Sequence, residues 1–380
     1  MSKANKIQMA DLRGQYDRVK PQIDFAIQEV VNSTEFINGP QVKTFESNLQ
    51  LYLGSNYVIA CGNGTDALQI ALMALNLQPG DEVIVPCFTY VATAEVIALL
   101  RLTPVLIDVD ANTFNNTAEL IENAITSKTR AIVPVHLFGQ CADMEEILEV
   151  ARKHSLYIVE DTAQALGAEY TFSDGTVKKA GTMGDIGCTS FFPSKNLGCY
   201  GDGGALITND AFLANRIRKI ANHGQEIKYC HDVIGVNSRL DTLQAAILLV
   251  KLPHLDDYAL ARNKAADIYD TELGLLDWLQ IPARQHNSTH VFHQYTLKLS
   301  ATIDRELFKV YLSAHGVPSM IYYPIPLHMQ NAFKTDTHQE GDFPISEELC
   351  KRVISLPIHT EMSADELRFI TDTIKLFQHG

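Results

Sequence analysis

Lys195 stands between the apolar and aromatic segment TSFFPS (189–194) and the glycine-rich segment GCYGDGG (198–204). A lone lysine is normally solvated, but these neighbours predict partial burial of the amine. Burial lowers the pKa of an amine and favours the neutral form that Schiff-base chemistry needs. Ser190, five residues earlier, carries a hydroxyl that could bind phosphate.

The acidic pair Glu160-Asp161 ends the apolar run LYIVED (156–161). Open α/β sheets bind ligands at the carboxyl ends of their strands. A carboxylate at such a position can hold a heterocyclic nitrogen protonated through a charge-assisted hydrogen bond. The alternative is a helix cap, a position that favours Asp. On this segment alone both interpretations stay open.

Two other segments join polar residues to the start of a helix. CGNGTDAL (61–68) combines glycines, the hydroxyl of Thr65 and a predicted helix N-terminus, which together could bind a phosphate. An ordinary strand-to-helix turn is the alternative. In GVNSRLDTLQAA (235–246), Asn237 or Ser238 could simply cap the following helix.

The first half of the chain alternates apolar strand-like runs with helix-like runs. Predicted strands are 57–60, 82–86, 104–110, 130–137 and 156–161, and their nearly continuous apolar character indicates a parallel sheet covered on both faces. The amphipathic stretch 240–270, interrupted by Pro253, predicts a bridge into a smaller α+β region. We therefore expect an N-terminal arm and large α/β domain over 1–250, and a small C-terminal domain over 251–380.

Charge and cysteine usage exclude several classes of function. The net charge of −14 argues against nucleic acid as a partner. The seven scattered cysteines, with no CxxC pair, are expected to be reduced and packed as small apolar side chains. No signal peptide is recognised in the N-terminal sequence and no run is apolar enough to span a bilayer, so we expect a cytoplasmic location and no membrane partner.

In their order and spacing, these segments resemble the DegT/StrS-type sugar aminotransferases. The resemblance is carried by NGTDALQIAL, PCFTYVATAEV, VEDTAQALGA, TSFFPSKNLGCYGDGGA and NSRLDTLQAA, and it extends from about 36 to 362. It implies the type I fold of aspartate aminotransferase, in which a large, mostly parallel seven-stranded sheet is followed by a small α+β domain. It also implies an enzyme that uses pyridoxal 5'-phosphate.

The resemblance implies a role for each residue around the cofactor ring. Lys195 carries the cofactor as a Schiff base and later moves the proton during transamination. Asp161 pairs with the pyridine nitrogen, Gln164 lies near the ring hydroxyl, and Phe88 stacks on the ring. These roles suit the chemistry, because a pyridinium needs a carboxylate and a flat ring needs a flat partner.

The resemblance likewise implies a phosphate site that two subunits share. Thr65, Asp66 through its backbone, and Ser190 hold the phosphate from one chain. Asn237 of the partner subunit reaches it from the other chain, so the homodimer is the catalytic unit.

The substrate implied by the resemblance is a nucleotide-linked keto sugar of surface-polysaccharide or lipopolysaccharide biosynthesis, with glutamate as the expected amino donor. The matched segments are most similar to the group that aminates UDP-2-acetamido-2-deoxy-3-oxo-glucuronate. Arg239 is the candidate for the sugar carboxylate, with the diphosphate or a subunit contact as the alternative. IYYPIPLHMQ (321–330) makes Tyr323 and His328 further substrate candidates, and Tyr322 departs from the family because many members carry His there.

The sequence leaves one alternative class of substrate and argues against three other functions. A dTDP- or UDP-linked 3-keto or 4-keto-6-deoxy hexose is the alternative substrate. A sugar 3-dehydratase of the same family would carry His in place of Lys195, and a non-catalytic regulator would be expected to lack Lys195 or Asp161. A dinucleotide-binding enzyme would carry GxGxxG after an early strand, which this sequence does not. The histidines His286, His290 and His293 lack a clear carboxylate or cysteine partner, so no metal site is predicted.

Overall fold

The computed structural model describes residues 7–334 and 338–378. The helices are α1 (Leu12–Ser33), α2 (Pro40–Leu53), α3 (Gly64–Ala74), α4 (Ala92–Leu99), α5 (Ala118–Asn123), α6 (Met144–His154), α7 (Ala211–Ala221), α8 (Thr242–Lys251), α9 (Leu255–Leu273), α10 (Arg305–Ala314), α11 (Pro344–Arg352) and α12 (Ala364–Lys375). The strands are β1 (Tyr57–Cys61), β2 (Glu82–Pro86), β3 (Thr103–Ile107), β4 (Thr129–Ile132), β5 (Tyr157–Asp161), β6 (Glu169–Thr171), β7 (Val177–Lys179), β8 (Ile186–Ser190), β9 (Gly204–Thr208), β10 (Gln225–Ile227), β11 (Cys230–His231), β12 (Leu279–Gln280), β13 (Tyr295–Leu299) and β14 (Val353–Leu356). Within these ranges, no helix has the length and apolar character needed to cross a membrane.

The central sheet has seven strands in the order β1-β9-β8-β5-β4-β2-β3. Strand β9 is antiparallel to both of its neighbours, β1 and β8. The pairs from β8 through β5, β4 and β2 to β3 are all parallel. The predicted large, mostly parallel seven-stranded sheet is therefore confirmed.

Both faces of the sheet are buried, as the apolar strands predict. Because side chains alternate along a strand, Val83 and Val85 of β2 face one way and Ile84 the other. Val83 and Val85 join a core with helices α3, α4 and α7, whereas Ile84 joins a separate core with α5 and α6. Helices α2 and α8 cover the end of the sheet that contains β1 and β9.

The sequence over 1–55 predicts an N-terminal arm and one helix, with a turn at 38–40, whereas the structure has two helices, α1 and α2, before the sheet. The turn predicted at 38–40 starts α2, because Gly39 is the N-cap and the fixed φ of Pro40 suits the first helical turn. Of the apolar residues that the sequence places at helical spacing in α1, Ile23 and Val30 are buried, whereas Val31 is 45% exposed. Residues 1–6 of the predicted N-terminal arm lie outside the described residues.

The C-terminal region builds a second core around the antiparallel sheet β12-β13-β14. Helices α9, α10 and α12 pack on this sheet, and Ile7, before α1, joins the same core. Pro253 lies in a short 3₁₀ turn (Leu252–His254) between α8 and α9, at the predicted interruption. This break supports the proposed domain boundary near residues 250 and 251, although Leu327 and Phe343 return to the core of the large sheet.

Candidate active site

A cavity of about 650 Å³ opens at the carboxyl ends of the central strands. Its walls come from residues that follow β1, β2, β4, β5 and β8, which meet at one edge because those strands run in the same direction. Of the residues predicted for the site, Thr65, Asp161, Gln164, Ser190, Lys195 and Tyr323 line this cavity. The sheet therefore brings together segments that are far apart in the sequence.

The N-terminus of α3 forms one end of the cavity. Asn63 caps the helix by accepting from the backbone N–H of Asp66 at 2.8 Å. Gly64 and Thr65 line the wall, and a Cβ on Gly64 would lie 2.7 Å from the Cβ of Ser190, so a larger residue would fill this space. Free backbone N–H groups and two hydroxyls beside a helix N-terminus form a site suited to a phosphate.

Asp66 supports this end of the cavity but does not line it. Its carboxylate accepts from the hydroxyl of Ser238 at 2.6 Å, and the same Ser238 oxygen accepts from the N–H of Gly62 at 2.9 Å. These two bonds join the glycine-containing segment before α3 to the NSR segment (237–239). In the sequence, Ser238 was only a possible helix cap. Its role in linking these two segments was not predicted.

Asp161 is the buried carboxylate of the cavity. One carboxylate oxygen accepts from the hydroxyl of Thr93 at 2.9 Å, and the other accepts from the N–H of Ala163 at 3.1 Å. Thr93 lies in the first turn of α4, which begins after β2. The segment after β2 therefore orients the carboxylate at the end of β5. Apart from its position after a predicted strand, nothing in the sequence pointed directly to Thr93.

Glu160, the other half of the acidic pair, points to the opposite side of β5 and is fully buried. It accepts from the N–H groups of Gly181, Met183 and Gly184 at 2.8, 2.7 and 2.6 Å, and its fourth partner is His136 Nε2 at 2.9 Å. These four hydrogen bonds hold the loop over 181–184 and the ring of His136 against β5. The pair therefore divides into one carboxylate for the cavity and one for the loop over 181–184.

Lys195 lines the cavity, and its amine binds a proton less tightly than the amine of an ordinary lysine does. Burial lowers the pKa of its amine from 10.5 to about 8, and the carboxylate of Asp161 opposes this shift only in part. The neutral amine is the form that attacks a carbonyl, and the lowered pKa raises its fraction near neutral pH. The burial expected from the flanking sequence thus has the predicted effect on the amine.

Gln164 and Tyr323 form a hydrogen-bonded pair on the cavity wall. Gln164 accepts from the N–H of Phe138 at 2.8 Å and donates to the hydroxyl of Tyr323 at 3.0 Å. Burial raises the pKa of Tyr323, so its hydroxyl stays protonated and remains a donor. Both residues line the cavity, and the cofactor contact predicted for Gln164 and the sugar contact predicted for Tyr323 stay predictions.

The ring-stacking role assigned to Phe88 does not fit the structure. Phe88 is 1% exposed and packs edge-on against Phe138 and Tyr323, behind the wall of the cavity. Tyr90, two residues later, lines the cavity and is 57% exposed. The turn after β2 directs Phe88 into an aromatic cluster, and Tyr90 becomes the candidate for stacking.

His328, the second proposed sugar contact, is also buried away from the cavity. Its Nδ1 lies 3.1 Å from the thiol of Cys87, and its Nε2 lies 3.1 Å from a carboxylate oxygen of Glu347. With both ring nitrogens engaged, His328 packs the 321–330 segment against α11 and does not reach a ligand in this arrangement. Tyr322, the departure from the family pattern, lines the cavity in its place.

Asn237 and Arg239 lie outside the cavity of their own chain. Asn237 is exposed and Arg239 is half-buried. The segment before them forms the hairpin β10–β11, and its neighbourhood exposes Ile227, Tyr229 and Ile234 at 70, 79 and 86%. These positions are compatible with a contact to another chain, and the predicted roles of both residues stay predictions.

The histidines of HVFH divide between two environments. His290 is buried and stacks on Phe292 at 3.8 Å, whereas His293 lines the cavity. Across the described parts of the chain, no group of three His, Cys, Asp or Glu side chains is placed to hold a metal ion.

The residues present fit pyridoxal phosphate. The end formed by α3 and Ser190 suits its phosphate, Tyr90 offers a flat partner, Asp161 a carboxylate for the ring nitrogen, and Lys195 an amine of lowered pKa. The fold and this cavity define a pyridoxal-phosphate-dependent enzyme of the type I fold.

Comparisons with known proteins identify the family. A sequence model described as the DegT/DnrJ/EryC1/StrS aminotransferase family matches residues 18–375. The chain belongs to this family and is a pyridoxal-phosphate-dependent sugar aminotransferase. A crystal structure of NtdA from Bacillus subtilis with the bound cofactor PMP is similar, with a TM-score of 0.88 and 31% identity, and the match covers 99% of this chain and 85% of that one.

Named relatives are similar over nearly their whole length. A UDP-2-acetamido-2-deoxy-3-oxo-D-glucuronate aminotransferase of Pseudomonas aeruginosa is 45% identical, covering 96% of this chain and 98% of that protein. A UDP-N-acetyl-3-dehydro-alpha-D-glucosamine 3-aminotransferase of Acidithiobacillus ferrooxidans is 44% identical, with 100% of both covered. A protein of Geobacillus stearothermophilus named as a pleiotropic regulatory protein is 43% identical, covering 98% of each.

Proposed function

We propose that this enzyme transfers an amino group from glutamate to the 3-keto group of a UDP-linked 2-acetamido sugar, with UDP-2-acetamido-2-deoxy-3-oxo-glucuronate as the preferred acceptor. The observation that carries the proposal is the single cavity that combines Lys195, Asp161 and the N-terminus of α3. The relatives at 45 and 44% identity, whose names specify UDP-linked 3-oxo sugars, support this class of acceptor.

Each cavity residue has a distinct task in this reaction. Pyridoxal phosphate, when bound here, would supply an electron sink and would carry the amino group between donor and acceptor. Lys195 binds the cofactor covalently and, when released, moves a proton at the carbon that gains or loses the amino group. Asp161, oriented by Thr93, keeps the ring nitrogen protonated. The hydroxyl of Ser190 and the backbone at Thr65 hold the phosphate.

The acceptor is tested with a panel of UDP- and dTDP-linked keto sugars, with glutamate as donor and product mass as the readout. We expect amination of the 3-keto uronate to dominate. Amination of a 4-keto-6-deoxy sugar, with none of the 3-keto uronate, would remove the substrate proposal and leave the family assignment in place.

A neutral 3-keto hexosamine is the second candidate. Among the described residues of this chain, those that line the cavity include no arginine, and the sugar named for the 44% relative has no carboxylate that would need one. A uronate requires Arg239 from across a subunit contact. If Arg239 binds the carboxylate, Arg239→Ala reduces kcat/KM for the uronate by about 10- to 100-fold more than for the matched neutral sugar, the loss expected for an unpaired buried charge.

We also propose that the catalytic unit is a homodimer in which Asn237 and Arg239 complete the site of the other subunit. The exposed apolar side chains around β10–β11, beside these residues, support a contact with a second copy. Mixing inactive Lys195→Ala with inactive Asn237→Ala should restore part of the activity, because one site of each hybrid dimer is intact. A fully active monomer at assay concentration would contradict this arrangement.

A cytoplasmic location is proposed on chemical grounds. All seven cysteines are free and six of them are buried, as expected for a chain that folds where thiols stay reduced. A regulatory function, suggested by the name of the 43% relative, is less well supported, since Lys195 and Asp161 are both retained in the cavity.

A further inference from the structure

Gln294 lies on a part of the cavity wall whose backbone is fixed from two sides. The three carbonyl groups of residues 290–292 each accept a hydrogen bond from a different side chain, at 2.8, 2.9 and 3.1 Å. From the other side, the N–H of Gln294 donates to the carbonyl of Phe138 at 3.3 Å. Because its backbone is held in this way, the side chain of Gln294 starts from a defined position.

The amide of Gln294 is available to a ligand in the cavity. Its neighbours His293 and Tyr295 are buried, whereas Gln294 is half-buried and lines the cavity. Among the described residues, three side-chain amides line the cavity, and two of them already serve the protein itself. Asn63 caps α3, and Gln164 bonds through both its oxygen and its nitrogen. Gln294 is thus the amide of the wall that is best placed to bind a substrate.

Tyr322 adds a second neutral polar group beside this amide. It lines the same cavity, and burial raises the pKa of its hydroxyl while the amide of Gln294 partly opposes that rise. The hydroxyl therefore stays protonated, and neither side chain carries a charge. This part of the wall offers an amide and a hydroxyl, which can each donate and accept hydrogen bonds.

The wall around Gln294 adjoins the reactive amine. Burial and then the charge of Lys195 lower the pKa of His293, the residue before Gln294, so the amine lies close to this wall. Asn196, the residue after Lys195, also donates to the carbonyl of Val291 at 2.9 Å. In the proposed reaction, carbon 3 of the sugar must come to Lys195, and the substituent on carbon 2 is attached to the adjacent carbon. A residue that binds this substituent must therefore lie beside the amine, as Gln294 does.

We propose that Gln294 is a specificity-determining residue that binds the 2-acetamido group of the acceptor sugar. An acetamido group carries one N–H donor and one carbonyl acceptor, and a glutamine amide offers the complementary acceptor and donor on one planar group. A 2-hydroxyl group has no such planar pair, and a carboxylate would need a cation that this part of the wall does not supply. The inference rests on the proposed function, which supplies a UDP-linked 2-acetamido sugar as the acceptor.

The test compares the binding of UDP-N-acetylglucosamine and UDP-glucose to the enzyme loaded with pyridoxal phosphate, by titration calorimetry. The two ligands differ only at carbon 2, and neither has a keto group that could be aminated. The native enzyme should bind UDP-N-acetylglucosamine about 10-fold more tightly, the value of one or two hydrogen bonds. Gln294→Leu should remove this preference by weakening the binding of UDP-N-acetylglucosamine alone.

Two further variants control for indirect effects. Gln285→Leu changes another half-buried glutamine, nine residues earlier, that is not among the described residues lining the cavity, and it should leave both affinities unchanged. Tyr322→Phe keeps the ring and removes the hydroxyl beside the amide. It should reduce the preference about 2- to 3-fold without abolishing it, because the amide of Gln294 remains.

The outcomes separate this inference from the proposed function. A preference that persists in Gln294→Leu protein with an unchanged urea midpoint would overturn the inference and leave the proposed function in place. Equal losses for both ligands would also overturn it, because Gln294 would then contact a part that the two share. So would a native enzyme without any preference, whatever the variants do. A native enzyme that binds neither ligand, and aminates only a dTDP-linked keto sugar, would instead remove the proposed function.

Discussion

Lys195 should destabilise the protein when the cofactor is absent, and Lys195→Met should therefore stabilise it. An ordinary lysine has a pKa of 10.5, whereas burial lowers that of Lys195 in the folded protein to about 8. The amine of Lys195 consequently binds its proton more tightly in the unfolded chain than in the folded protein. The cost to folding begins as the pH falls through 10.5 and reaches its full value below 8.

The size of the effect follows from the difference between these two values. With about 1.36 kcal/mol for each pH unit, the cost is about 3 kcal/mol at pH 7, about 2 kcal/mol at pH 9 and about 1.4 kcal/mol at pH 9.5. Methionine keeps the length of the side chain and removes the charge. Its advantage over lysine should thus shrink steadily as the pH rises.

The assay is equilibrium unfolding in urea of the two cofactor-free proteins, at equal protein concentration and at pH 7, 9 and 9.5. Lys43→Met, which changes an exposed lysine on α2, provides the control and should show no comparable dependence on pH. Equal stability of Lys195→Met and the unmodified protein at pH 7 would refute the reasoning. So would a gain that stays constant across the three pH values, because it would reflect packing and not the proton.

Residues of the cavity and of the strands beside it give three further expectations. Asp161→Ala should still allow borohydride to fix the cofactor on the protein, but turnover should fall by several orders of magnitude; near-normal turnover would reduce this carboxylate to a structural role. Tyr90→Ala should weaken cofactor binding about 2- to 10-fold in a dialysis assay, whereas Phe88→Leu should leave cofactor binding unchanged and cost about 1 kcal/mol in stability; the reverse result would restore Phe88 as the stacking partner. Glu160→Gln should lower the free energy of unfolding by about 2–4 kcal/mol, since the new amide faces the N–H of Gly181; an unchanged urea midpoint would contradict this.

The sequence predicted the sheet and the buried lysine because both depend on local composition. Continuous apolar runs identify strands that are covered on both faces, and the aromatic and glycine neighbours of Lys195 predict burial of its amine. The lowered pKa in the folded protein agrees with that prediction. The strand end alone left Asp161 open between a ligand contact and a helix cap, and only the resemblance to the family assigned it to the ring nitrogen; the parallel sheet brings it to the cavity.

The errors arose where a side chain depends on a distant partner or on the course of a turn. In FTY, two aromatic residues lie two positions apart, and only the turn after β2 decides that Phe88 packs inward while Tyr90 reaches the cavity. His328 is polar in the sequence, but Glu347 on α11 and Cys87 after β2 occupy both of its nitrogens. Neither partner is recognisable from the sequence around residue 328.

The antiparallel strand β9 has a consequence for how the chain matures during synthesis. Strand β1 pairs only with β9 in the sheet, with Tyr57 opposite Thr208, so its sole partner strand is synthesised about 150 residues later. At roughly 5–20 residues per second, synthesis of β9 follows that of β1 and the α3 N-terminus by about 8–30 seconds, and the sheet edge can close only then. Closure of this edge also requires the segment that carries Lys195, since it joins β8 to β9. The phosphate end and the lysine of the cavity therefore become ordered in the same late step, and a nascent chain that stops before β9 exposes an unpaired, apolar β1 to chaperones.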